Sequence, residues 1–169
     1  MATVYKATNY GLRGDPVTTA NGCDITIPFS FDPATLGTAY DLVINDQIYL
    51  APLPAGAIIH QIFLDIPDLD SGTSLTLDLG LVGGGLSVVT NVAVAAALAA
   101  FLSAGTGGQA GAADIVPSLN GYVKGSLPYT ELTANNILVL TAHAASTGAG
   151  AGTTLLTGYV RYSMRSTVF

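Results

Sequence analysis

The sequence predicts an all-β, jelly-roll-like β-sandwich with one short Ala-rich helix and an extended N-terminal arm. Three observations predict it. Apolar and polar residues alternate in several short runs, most regularly from Ser74 to Leu81. Turns bearing Gly and Pro separate these runs at short intervals. Only Asn91 to Ser103 has a helical composition. About seven or eight strands joined in this way suit two packed sheets.

Residues 1–24 are polar and rich in Gly, Thr and Asn, with weak alternation from Thr3 to Ala7. They are expected to form the arm, with at most one edge strand. Residues 25–169 are expected to form the single sandwich domain. Ile25 to Phe31 alternates well, and Pro28 places that strand at a sheet edge or bulge because proline cannot donate to a ladder. Asp32-Pro33 opens a loop. Asp46 to Leu50 is the next strand, and Pro52 to Gly56 is expected to turn the chain. Ala57 to Ile66 is the strongest strand, dense in β-branched and large apolar residues. A polar turn follows from Pro67 to Gly72.

Leu75, Leu77, Leu79 and Leu81 share one face of the next run, which predicts a half-buried strand. In the helical segment, Ala is the best helix former, Asn91 suits the start and Gly105 the stop. Its small side chains fit close packing, either under the sheet or against another subunit. Val116 and Tyr122 to Lys124 are weak strand candidates. Ile137 to Ala142 reads as a buried strand. Thr154 to Ser163 closes the fold, with Leu155, Thr157, Tyr159 and Arg161 on one face.

The composition limits the functional classes. Half of the 169 residues are hydrophobic and 9% are charged, against about 25% charged in a typical soluble domain. A surface so poor in charge is weakly protected against self-association, so partners are expected to cover part of it. The longest apolar run, Val92 to Leu102, falls short of the roughly 20 residues of a spanning helix. No series of alternating ten-residue strands with aromatic girdles suggests a membrane barrel. The formal net charge is −6, and the five basic residues, Lys6, Arg13, Lys124, Arg161 and Arg165, are scattered. Neither a membrane nor nucleic acid is therefore the expected partner. The opening residues lack a signal-peptide layout, and Cys23 is alone, so folding in the cytoplasm that makes the chain is expected.

Motifs for chemistry are weak. His60 and His143 lie within apolar strand patterns and read as structural. No Ser sits in a nucleophile elbow, and Cys23 has no recognisable His/Asn context. Asp65, Asp68 and Asp70 cluster at a turn, with Asp78 a candidate fourth member. Oxygen-rich loops can hold calcium, but this spacing is not an EF-hand, and a solvated turn is expected. Gly83 to Gly85 and Gly105 to Gly111 lack the Lys-Ser/Thr of a phosphate loop. Arg13-Gly14-Asp15 is short enough to arise by chance. No catalytic residue, cofactor or metal is assigned.

Several segments resemble small capsid-associated proteins of tailed bacteriophages. They are Ala2 to Gly11, Pro52 to Ile59, Leu64 to Leu79 with its Asp-Leu-Asp turn, Phe101 to Gly111, and Gly158 to Tyr162. The resemblance implies a head decoration, or cement, protein with a jelly-roll or β-sandwich fold. It implies a virion location on the outer capsid surface, after synthesis in a host bacterial cytoplasm. It also implies contact with the major capsid protein and self-assembly as a homotrimer, or as a dimer at twofold positions. Such proteins staple neighbouring capsid subunits and carry no catalytic residues. An extended arm can add a strand to a neighbour's sheet. On that basis Tyr5, Lys6, Tyr10 and Arg13 are the expected capsid contacts, with the two tyrosines as aromatic anchors. The competing expectations are a head-fibre or tail-associated domain binding receptors or glycans, and a small cupin-like hydrolase.

Overall fold

The computed structural model describes residues 3–8, 10, 24–36, 42–54, 56–83, 101–109, 115–120, 135–148 and 155–164. Nine strands run through them: β1 (Val4–Lys6), β2 (Asp24–Phe31), β3 (Gln47–Leu53), β4 (Ala57–Asp65), β5 (Thr76–Gly83), β6 (Leu102–Gly105), β7 (Ile115–Asn120), β8 (Asn136–Ala144) and β9 (Leu156–Met164). They form two sheets, ordered β1-β3-β8-β5-β6 and β2-β9-β4-β7. Strands β2, β4, β7 and β9 lie in one sheet and β3, β5, β6 and β8 in the other, a winding that makes the chain an all-β jelly-roll sandwich. Within each sheet neighbours are antiparallel, except that β1 joins β3 in parallel.

The core lies between the inner faces, where period-2 patterning puts it. Ile27, Phe29 and Phe31 enter it from β2, and Leu77, Leu79 and Leu81 from β5. Leu138, Leu140 and Ala142 enter from β8, and Leu156, Val160 and Tyr162 from β9. Pro28 lies on the edge strand β2, as expected, in register with Tyr159. The alternate residues of β9, Thr157, Tyr159 and Arg161, face outward, where Tyr159 stacks on Phe63 at a ring separation of 5.5 Å.

Three expectations are corrected. The predicted helix over 91–103 fails at its C-terminal end. The Phe101 N–H donates to Leu79 O at 2.8 Å, and Leu102–Gly105 pairs along β5 as an edge strand. The rest of that segment, 91–100, lies outside the described residues. The expected turn at 52–56 starts later, because β3 runs through Leu53 after a bulge between Tyr49 and Ala51. Pro52 is tolerated there because β1 pairs β3 only along Gln47 to Tyr49. Strand β5 is buried on both faces and not on one: Asp78, Gly80 and Val82 are buried on the face away from the Leu row. The connection expected from Asp32-Pro33 begins where β2 ends, with a 3-10 turn, Pro33–Leu36, in which Asp32 Oδ1 accepts the Ala34 N–H at 2.9 Å.

Candidate interaction surface

Three buried aspartates anchor the loops of this charge-poor sandwich. Asp70 is fully buried and accepts five hydrogen bonds. Its Oδ1 takes the Gly72 N–H at 3.1 Å, the Thr147 N–H at 2.8 Å and the Thr147 hydroxyl at 2.7 Å. Its Oδ2 takes the N–H groups of Ser74 at 3.0 Å and Leu75 at 2.8 Å. Burial pushes this carboxyl up, but the Thr147 hydroxyl and the N–H groups of Leu75, Thr147 and Gly72 outweigh it and hold it well below the usual range. The expected solvated acidic turn is thus corrected at Asp70, whose oxygens are filled by four backbone N–H groups and the Thr147 hydroxyl and leave no room for a cation. Asp68 Oδ1 accepts the Asp70 N–H at 3.3 Å. Among the described residues, no group of three or more His, Cys, Asp or Glu side chains could hold a metal ion.

Asp78 does not join that cluster. Its Oδ1 accepts the Ala104 N–H at 2.7 Å, and its Oδ2 lies 3.0 Å from Nδ1 of the largely exposed His143. His60, on β4, is 2.7 Å from Ser163 Oγ through Nε2. The two histidines stand on different sheets and make no catalytic pair.

The third aspartate, Asp46, organises the N-terminal corner. Its Oδ1 accepts the Thr3 N–H at 2.6 Å and its Oδ2 the Val43 N–H at 3.0 Å. Thr3 O in turn accepts the Gln47 N–H at 2.9 Å. From this latch β1 runs beside β3, and the Ala7 N–H reaches Tyr49 O while the Thr8 N–H reaches Ser30 O on β2. The segment therefore straps the edges of both sheets. Val4, Val43 and Ile44 stand around the latch at 48%, 55% and 54% exposure. They are three of the four exposed large hydrophobic residues among those described, the other being Leu155.

The sequence-predicted contact residues divide here. Tyr5 points inward and packs edge-on against the buried Phe31, with ring centroids 6.2 Å apart. Lys6 is exposed, and its Nζ lies 5.4 Å from the centre of the Tyr10 ring. Tyr10 folds against Tyr49 at 5.8 Å, over a small outer-face cluster of Val82, Ile137 and Val139. Burial raises the phenol pKa of both Tyr10 and Tyr49, and for Tyr10 the neighbouring Tyr49 adds to it. Arg13 lies outside the described residues. Sequence reasoning missed Asp46, Val43, Ile44 and Tyr49. Val43-Ile44 before an Asn-Asp pair was the available signal, an aliphatic pair placed at a turn.

No protein-family model and no curated protein matches this chain. Among solved structures, a chain of the capsid of Ralstonia phage GP4 superposes with a TM-score of 0.71 at 20% identity, covering 98% of this chain and 100% of that one. A chain of the cyanophage Pam1 capsid asymmetric unit gives 0.51 at 18% identity, covering 90% and 92%. At these identities the likeness is one of fold.

Proposed function

We propose that this protein is a virion structural protein that decorates a bacteriophage capsid and stabilises it by bridging neighbouring major capsid proteins, with no catalytic role. The observation that carries the reading is the end-to-end likeness in fold to a chain of the Ralstonia phage GP4 capsid. Composition supports it: 9% charged residues suit a body whose surface is partly covered, since interface cores are depleted of charge. A staple repeated by symmetry gains avidity from many modest contacts and needs no deep pocket. In this reading Lys6, Tyr10 and Arg13 meet the shell, and Tyr5 holds the strand that presents them. The protein then resides on the outer capsid surface as a homotrimer or dimer.

The test is binding to expanded capsids assembled from the major capsid protein of the same phage. Saturable occupancy by gel densitometry, with density between capsid subunits, is expected. Deletion of residues 2–10 is expected to cut occupancy at least tenfold, and wild-type occupancy would remove these residues from the staple. Density confined to a tail or head fibre, with hits on a glycan array, would replace the reading with a receptor-binding one.

A further inference from the structure

We infer that the slot β1 fills on β3 also accepts the same segment, Thr3 to Thr8, from a second copy of this chain, so that copies are joined by exchanged strands. Three features carry the inference. First, β1 is a short edge strand. It pairs over three residues, in parallel, with the pattern exposed, half-buried, exposed. Its fastenings are the Asp46 carboxylate at Thr3, the bond from the Gln47 N–H to Thr3 O, the backbone bonds of Ala7 and Thr8 to β3 and β2, the Tyr5 ring against Phe31 and the buried Ala7, all of them contacts made by residues 3–8. An edge strand this short leaves its own outer backbone groups for water, so only one side of its ladder has to be remade in a second slot.

Second, the contacts that seat the segment are the same from a second copy as from its own chain, which is why strand exchange is a low-cost route to oligomers. Residues 9–23 separate the segment from β2 in sequence. At roughly 3.3–3.6 Å per residue, fifteen residues reach about 50 Å at full extension, more than the width of a small sandwich.

Third, something must favour exchange once the seat itself is neutral, and it stands beside the slot. Val4, Val43 and Ile44 are about half exposed around the Asp46 latch. A second body brought there by an exchanged strand covers them, and it meets no charged side chain among these three. Apolar area removed from water at this corner is available only to the joined form.

The inference stands apart from the capsid reading, and its test uses purified protein without capsids. Two full-length chains with different tags, one carrying Val4→Cys and the other Gln47→Cys, both with Cys23→Ser, are co-expressed and oxidised. Val4 and Gln47 are register partners across β1 and β3, so a bond between the two tagged chains forms when one chain's strand lies in the other's slot. A covalent heterodimer at ten times the yield of a control pair with Leu155→Cys in place of Val4→Cys is expected. Absence of that heterodimer overturns the inference, whether or not the double substitution in a single chain closes its own bond. A chain that exchanges strands but ignores capsids would sink the decoration reading alone.

Discussion

The hydroxyl and the N–H of Thr147 both close on one oxygen of Asp70, at 2.7 and 2.8 Å, from a loop 77 residues away in sequence. That carboxylate ties the β4–β5 connection to the β8–β9 connection. A neighbouring bond from Gln109 Nε2 to Leu75 O, at 2.7 Å, ties in the turn after β6. Removing the acceptor leaves buried donors unpaired, each costing about 1–3 kcal/mol. Asp70→Asn keeps the shape but sets an amide NH2 against N–H donors. It is expected to destabilise by about 2–4 kcal/mol, read as a lower urea midpoint at unchanged m-value.

The same group gives a pH prediction. Its folded pKa lies below its unfolded value, so its stabilisation is present above pH ~4 and is lost as pH falls through the depressed folded value. Between pH 7 and pH 3 the wild type is expected to lose about 1 kcal/mol more stability than Asp70→Asn. The other carboxylates cancel in this difference. Parallel loss in the two proteins would mean that Asp70 is not held ionised by its donors.

Gly158 faces inward on β9, beneath the Phe29 ring. A Cβ there would lie 2.6 Å from Phe29 Cε2 and closer still to the backbone oxygen of Phe63. Gly158→Ala is therefore expected to destabilise by about 1–3 kcal/mol through overpacking. Phe29→Leu relieves the ring contact but not the backbone one. Added to Gly158→Ala, it should recover only part of the loss in a double-mutant cycle by thermal melting.

Much of this fold was legible because its strands obey local rules. The Leu row from Leu75 to Leu81 announced its face by period alone, and Pro28 announced an edge. What was not legible depends on distant partners. Leu102–Gly105 follows an Ala-rich stretch of high helix propensity, yet it is a strand because β5 offers it a free edge. Asp70 sits among other acids in a polar turn, a pattern that ordinarily means solvent. Its burial is decided by Thr147, which no local window contains. Of the expected contact residues, Lys6 is exposed, Tyr10 is partly buried against both the main core and the outer cluster, and Tyr5 serves the core because β1 belongs to a sheet.

Ala104 adopts φ 51°, a left-handed conformation that disfavours a Cβ, and its N–H is held there by Asp78 at 2.7 Å. Its side chain is exposed, so a glycine loses little packing. Ala104→Gly is expected to stabilise by about 0.5–1 kcal/mol, since the left-handed penalty for alanine is roughly 1–2 kcal/mol. A rise in Tm of about 2–4 °C would register it. A fall would mean that the Asp78 bond gives up its geometry when the backbone is freed.

Tyr10 and Tyr49 make the fold sensitive to alkali. Their phenols ionise less readily in the folded state than at the ordinary value of 10.0, because burial disfavours the phenolate. A raised folded pKa means that the native state keeps protons that the unfolded chain gives up above pH ~10, so stability falls as pH rises past that point. The two rings lie 5.8 Å apart, so the charge on one opposes ionisation of the other, and the pair should titrate in separate steps. In absorbance titration at the phenolate band, Tyr10 and Tyr49 are expected to be among the tyrosines that titrate late in the folded protein. Tyr49→Phe should remove one late step and lower the midpoint of Tyr10, whose ionisation the Tyr49 charge opposes. The substituted ring keeps its cover over Val82, Ile137 and Val139 and loses only the hydroxyl. An unchanged Tyr10 midpoint would show that burial alone sets it, and that Tyr49 packs there without electrostatic consequence.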